Sequence, residues 1–132
     1  MASLADLIAT HIGRKVTYPG GLGGQCVDLV EVWAAALGKR AIPGNAVDLL
    51  SRANTRDWRV VHNAPTNAPG AGSIVVWGYA PLVGVGYYGH TAISLAADAI
   101  HLVTFDQSWP AGSVCAVVAH SYDGVLGWLE PL

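Results

Sequence analysis

The chain has 132 residues, a length that fits one compact domain, and residues 1–132 are expected to fold as a single unit. Hydrophobic residues make up 52% and charged ones 12% of the chain, where an ordinary globular protein carries about 25% charge, which excludes a disordered chain and points to a large core. Net charge is −2, and all seven Lys and Arg lie at or before Arg59, so composition gives no support to a nucleic-acid partner.

Met1 to Ile12 lacks a basic start, a continuous apolar run and a small-residue cleavage site, so no signal peptide is expected. Leu4, Leu7, Ile8 and His11 instead recur at helical spacing behind a Ser3/Asp6 capping pattern, predicting a first helix that ends near Gly13. Tyr18 to Gly24 holds four glycines and a proline and reads as a loop. From Cys26 onward, Leu29, Val30, Trp33 and Leu37 mark one face of a second helix, with Gly38, Lys39 and Arg40 as its stop. A third, short helix follows Asn45, with Asp48 in its first turn and Val47 and Leu50 on its buried side.

Beyond a loop from Asn63 to Gly72, the runs Ile74 to Trp77, Thr91 to Leu95, Leu102 to Phe105 and Val114 to Val118 are β-branched and aromatic, and predict strands of one antiparallel sheet. Helices first and strands afterwards mean an α+β fold. No Asp, Glu, Lys or Arg occurs between Arg59 and Asp98, but Pro81 and six glycines interrupt that stretch, and no membrane insertion is expected from it.

Cys26 stands where a glycine-rich turn meets a helix start. Unpaired N–H groups and the helix dipole favour a thiolate there, so a lowered pKa and a nucleophilic role are expected. The competing reading is a small buried hydrophobe, the common fate of cysteine. Cys115, in an apolar strand run, takes that second reading, and with no secretion signal both thiols are expected to be free. His90 follows Gly89 at the start of a strand, where a general base can still reach solvent. Asp106 ends the next strand, and antiparallel pairing brings its carboxylate beside His90, where it sets the tautomer and favours an imidazolium. A satisfied edge histidine and an ordinary turn aspartate are the alternatives. A zinc enzyme finds no His-Glu-x-x-His and no close cysteine pair to support it.

Five segments in order, Gln25-Cys26-Val-Asp28, Gly72-Ser-Ile-Val-Val-Trp77, Gly89-His90-Thr-Ala-Ile-Ser-Leu95, Phe105-Asp106-Gln107-Ser108-Trp109-Pro110 and Gly127-Trp-Leu-Glu-Pro131, resemble a CHAP domain of a phage lysin. The resemblance implies a papain-like α+β fold, helices packed on a mainly antiparallel sheet of about five or six strands, and thiol hydrolysis of an amide bond in bacterial peptidoglycan. It makes Cys26 the nucleophile, His90 the base and Asp106 the orienting acid. Ser108 falls where relatives often place an Asn that steadies the ring. Gln25 is a candidate oxyanion donor beside the Cys26 N–H, and Tyr87, Tyr88 and Trp109 are candidates for the substrate groove.

Some relatives bind calcium just before the nucleophile; this chain has Thr17, Pro19 and Gly21 at those places and keeps only Asp28, so neither a metal nor another cofactor is expected. The implied setting is the host cytoplasm until lysis releases the enzyme onto the wall, with a separate or fused wall-binding domain as a possible companion. A weak or inactive wall-binding module and a bacterial housekeeping amidase are the rival readings.

Overall fold

Local sequence sets the helices. In a computed structural model of the chain, which describes residues 3–21 and 23–132, the Ser3 hydroxyl accepts the Asp6 N–H at 3.1 Å and starts helix α1, Leu4–His11. Met1, Ala2 and Leu22, which belong to the expected leader-free start and the glycine-rich loop, lie outside the described residues. Helix α2 spans Cys26–Ala36 and buries Leu29, Val30 and Trp33 of the expected stripe, with Ala34 beside them, while Leu37, expected on the same face, stands at the helix end and is half-buried. Its Trp33 indole donates to the Gly72 carbonyl at 2.9 Å and ties the helix to the sheet.

The third helix begins as a 3-10 turn, Ala46–Asp48, and continues as α3, Leu49–Arg52. The tighter turn repeats every three residues and shifts the buried side, so Ala46 and Leu49 are buried while Val47 and Leu50, expected there, are only half-buried.

Six strands form one sheet: β1 Trp58–His62, β2 Ile74–Trp77, β3 His90–Ala97, β4 His101–Asp106, β5 Ala116–Ser121 and β6 Val125–Pro131. Their order is β1-β6-β2-β3-β4-β5, and each pairing is antiparallel. The α+β architecture is therefore as expected from helices first and strands afterwards. Two strands are new. β1 and β6 pair with each other, Trp58 opposite Pro131 and His62 opposite Gly127; Arg59 in β1, and Gly127, Glu130 and Pro131 in β6, weaken their alternation as separate segments.

The fifth strand starts later than the expected Val114, because Cys115 exchanges backbone bonds with Gly13 and Arg14 after α1, both at 2.9 Å. One face of the sheet packs Ile74, Val76, Ile93, Phe105 and Leu129 against α2. The other gathers Val75, Trp77, Ala92, Leu102 and Trp128, and it carries the polar cluster described below.

Glu31 on α2 is buried, and both its oxygens accept the Ile42 N–H, at 3.0 and 3.1 Å. Burial pushes its carboxyl up from 4.5 to about 6. A carboxyl that holds its proton more tightly in the folded than in the unfolded chain loses stability as pH rises between those values. Glu31→Gln keeps an acceptor for Ile42 and removes the charge. It is expected to be more stable than the parent at pH 7 by up to about 2 kcal/mol, with the gain fading by pH 4.5 in thermal melts.

Candidate active site

The turn before Cys26 is held by side chains. The Asp28 carboxylate accepts the N–H groups of Gly24 at 2.7 Å and Gln25 at 3.2 Å, closing the open end of α2 and fixing the approach to Cys26. A side chain at Gly21 would collide with that carboxylate, its Cβ only 1.9 Å from Asp28 Oδ1, so the loop requires glycine there.

Gln107, fully buried just after β4, supplies the second clamp. Its amide donates to the carbonyls of Val16 at 2.8 Å and Gln25 at 2.7 Å, and its oxygen accepts the Val16 N–H at 2.6 Å. One side chain thus joins the end of β4, the chain after α1 and the residue before Cys26.

Cys26 is half-buried, and it and Cys115 are both free thiols. The expected depression of its pKa is not found. Burial raises the Cys26 thiol above its ordinary value and outweighs the lowering by the N–H groups of Thr91, Val27 and Cys26 itself, while the Asp106 charge adds to the rise. Cys115 is buried and its thiol stands at about 11, in keeping with the inert reading.

His90 starts β3 opposite Trp77 of β2. The turn that delivers it needs Gly89, whose φ of +76° is left-handed and whose Cβ would stand 2.4 Å from the Trp77 carbonyl oxygen. Because Ile93 faces Phe105 across the ladder, Asp106 comes opposite Ala92 and shares a face with His90. His90 Nε2 meets Asp106 Oδ2 at 2.7 Å. A carboxylate accepts only, so Nε2 carries the proton and Nδ1 of the neutral ring is the free base. The ring does not reach solvent as freely as expected: its side chain is 5% exposed and opens only onto a cleft.

Two further groups hold Asp106, and neither carries a local signal in the sequence. The Thr104 hydroxyl donates to Oδ1, and His120 Nε2 on β5 meets Oδ2 at 2.9 Å. Burial works against the Asp106 charge, but the His120 and His90 hydrogen bonds prevail and hold its carboxyl below the usual value. Trp77 and Trp109 flank both imidazoles, with ring centroids 4.7 to 5.0 Å apart.

His90, Asp106 and His120 are the described groups with ligand atoms close enough to share a metal ion, within 4.8 Å of one another. Two ligands on one tetrahedral zinc stand about 3.3 Å apart. The separations at Asp106, 2.7 and 2.9 Å, are those of hydrogen bonds.

Cys26 and His90 line one cleft of about 470 Å³ together with Gln25, Tyr88, Ser108 and Trp109. Of the other expected groove residues, Tyr87 stacks on Tyr79 at 4.4 Å and is not part of this lining. The Ser108 hydroxyl accepts the Gly112 N–H at 2.9 Å, and Ser108 has a left-handed φ of +60°. Among non-glycine residues Asn is favoured in that conformation.

The model of the CHAP domain matches residues 15–108, which include Cys26, His90 and Asp106. The chain belongs to the CHAP family. Among solved structures, this CHAP chain is similar to the wild-type endolysin LysIME-EF1, with 27% identity and a TM-score of 0.80 over 99% of this chain and 65% of that one. It also shares its fold with Ly7917 at 18% identity and a TM-score of 0.71, over 96% of this chain and 59% of the other. Ly7917 with the hydrolyzing product of MDP superposes at a TM-score of 0.70 and 17% identity, over 96% of this chain and 60% of that one. The CHAP chain thus spans less than two thirds of the length of each. No helix among the described residues is long and apolar enough to cross a membrane.

Proposed function

We propose that this CHAP chain hydrolyses an amide bond of bacterial peptidoglycan, with Cys26 as nucleophile, His90 as general base and Asp106 as the group that orients the imidazole. The observation that carries the reading is the 2.7 Å bond between His90 Nε2 and Asp106 Oδ2, which leaves Nδ1 as the free base in the cleft that Cys26 also lines. Because burial raises the thiol, Cys26 rests protonated and needs its base at the moment of attack. His90 Nδ1 takes the thiol proton as sulfur bonds to the carbonyl carbon. The C–N bond then breaks and the departing amine takes that proton from His90. Water gives a proton to His90 and adds to the thioester, and the carboxylic product leaves as the Cys26 thiol is restored.

The Cys26 N–H and the Gln25 side chain are the proposed donors to the developing oxyanion. Gln25→Ala is expected to lower kcat by about 10²–10³ with little change in KM. Unchanged turnover would remove Gln25 from the machinery. Tyr88 and Trp109, in the cleft lining, are proposed to bear on the sugar or peptide, with Tyr87 outside it.

The resemblance to an endolysin supports a role in phage-induced lysis, with the enzyme held in the host cytoplasm until release and a fused or separate domain supplying wall affinity. No metal or cofactor enters this mechanism. One observation favours a binding-only module instead: the Ser108 hydroxyl is engaged by Gly112, away from the ring-steadying role of the Asn in relatives. Mass spectrometry of purified peptidoglycan incubated with the protein and with Cys26→Ala, under reducing conditions, separates the two. Fragments released by the parent alone support hydrolysis, and their new termini distinguish amidase from endopeptidase. Wall binding with no fragments supports the module.

A further inference from the structure

We propose that His120 is a positioning residue that tunes the basicity of His90 through the carboxylate they share; the catalytic consequence rests on His90 being the general base. The two imidazoles converge on one atom, Asp106 Oδ2, at 2.7 Å from His90 and 2.9 Å from His120, while Thr104 occupies Oδ1. Asp106 is therefore a buried anion held by three donors, and two of them are imidazoles that share its single charge. Each neutral ring must present Nε2–H to it, which keeps Nδ1 of His90 free for the thiol.

His120 is built into the fold to do this. Its side chain is only 6% exposed, and it lies against Trp77 at 4.8 Å and edge-on to Trp109 at 4.9 Å, the same two indoles that flank His90. A hollow of about 180 Å³, lined by Trp77, Trp109, His120, Ser121 and Asp123, opens beside it and shares Trp109 with the lining of the Cys26 cleft. The titratable groups facing His120 are Asp106 from β4, His90 from β3 at 6.2 Å between ring centroids, and Asp123 beyond β5. No Lys or Arg follows Arg59 in the sequence, so Asp106 has no lysine or arginine from the second half of the chain as a competing partner.

The physical consequence is a coupled titration. While His120 is neutral, the Asp106 charge supports a proton on His90. Once His120 takes its own proton, it neutralises that charge and adds a like charge 6.2 Å away, so His90 becomes the weaker base. The pair then loads its protons in two steps, and the second deprives His90 of the charge that supports its role.

Imidazole ¹⁵N NMR across pH 4–9 tests this without any substrate. In the parent, the His90 resonances are expected to follow two steps that coincide with those of His120. In His120→Gln, which keeps an amide N–H for Asp106 but cannot titrate, His90 should follow one step with a midpoint displaced by about 0.5 pH unit or more. A single His90 step in the parent, indifferent to the titration of His120, overturns the proposal and needs no variant to be folded. In catalysis, His120→Leu should lower kcat by about tenfold or more at constant KM, and His120→Gln should recover most of it at pH 8. A Leu variant that folds and turns over like the parent also overturns it. If the parent releases no wall fragments yet His90 and His120 titrate together, the hydrolase reading fails and the coupling stands. If fragments are released and the coupling is absent, only this inference fails.

Discussion

Asp106→Asn is expected to reduce kcat on wall fragments by about 10³–10⁴ with KM nearly unchanged, the scale seen when an orienting carboxylate of a catalytic triad becomes an amide. The reason is tautomeric. Asp106 Oδ2 now accepts from both His90 and His120, and Oδ1 accepts from Thr104. An amide offers one accepting oxygen and one donating nitrogen: with the nitrogen in place of Oδ1 the Thr104 hydroxyl can turn to accept from it, whereas with the nitrogen in place of Oδ2 it meets both Nε2–H groups. In that second orientation His90 Nε2 can only accept, so its proton moves to Nδ1, the atom that must receive the thiol proton, and in either orientation the charge that supports an imidazolium is gone. Fragment release measured by mass spectrometry across substrate concentrations checks this. Retention of parental kcat by a folded Asp106→Asn protein would show that the carboxylate does not set the tautomer and would remove it from the mechanism.

The second large effect is on stability. Gln107→Leu is nearly isosteric, but it strips partners from the Val16 N–H, the Val16 carbonyl and the Gln25 carbonyl together. At about 1–3 kcal/mol for each of the three groups left unpaired, the loss is roughly 3–9 kcal/mol. That is a large share of the roughly 5–15 kcal/mol that holds a domain of this kind folded. Urea titration should show the midpoint falling with an unchanged slope. The Gln25 carbonyl belongs to the residue before Cys26, so alkylation of Cys26 by iodoacetamide should also slow in the folded fraction. A variant as stable as its parent would mean that these backbone groups find other partners and that Gln107 does not clamp the nucleophile turn.

Much of this was open to inspection in the sequence, and the reason is locality. The Ser3/Asp6 cap, the apolar stripe Leu29, Val30, Trp33 behind Cys26, and the alternation of uncharged β-branched runs depend on neighbours within a few residues, and they predicted α1, α2 and the strand segments β2 to β5. The pairing of His90 with Asp106 was also accessible, because two strands joined by a short connection must run antiparallel and bring the start of one near the end of the other. The family resemblance pointed to the same residues. β1 and β6 were not seen as strands because their residues are unremarkable alone: β1 is held at the sheet edge by β6, Trp58 opposite Pro131, and β6 lies between β1 and β2.

By itself, then, the sequence determined the α+β order of elements, a nucleophile candidate at the start of α2 and a histidine–aspartate pair on neighbouring strands. Only the tertiary structure decided their electrostatics and their company. Whether the Cys26 thiol is lowered by the helix start or raised by burial turns on how much protein covers it, and burial prevails. His120 is one of five histidines with no distinguishing motif, and its bond to Asp106 exists because β5 pairs with β4 and two indoles close around the rings. The reach of Gln107 to Val16 and Gln25 likewise joins segments far apart in the chain. Helix and strand preferences act over a few residues and can be read in order, whereas desolvation and shared hydrogen bonds depend on which distant segments the fold brings into contact.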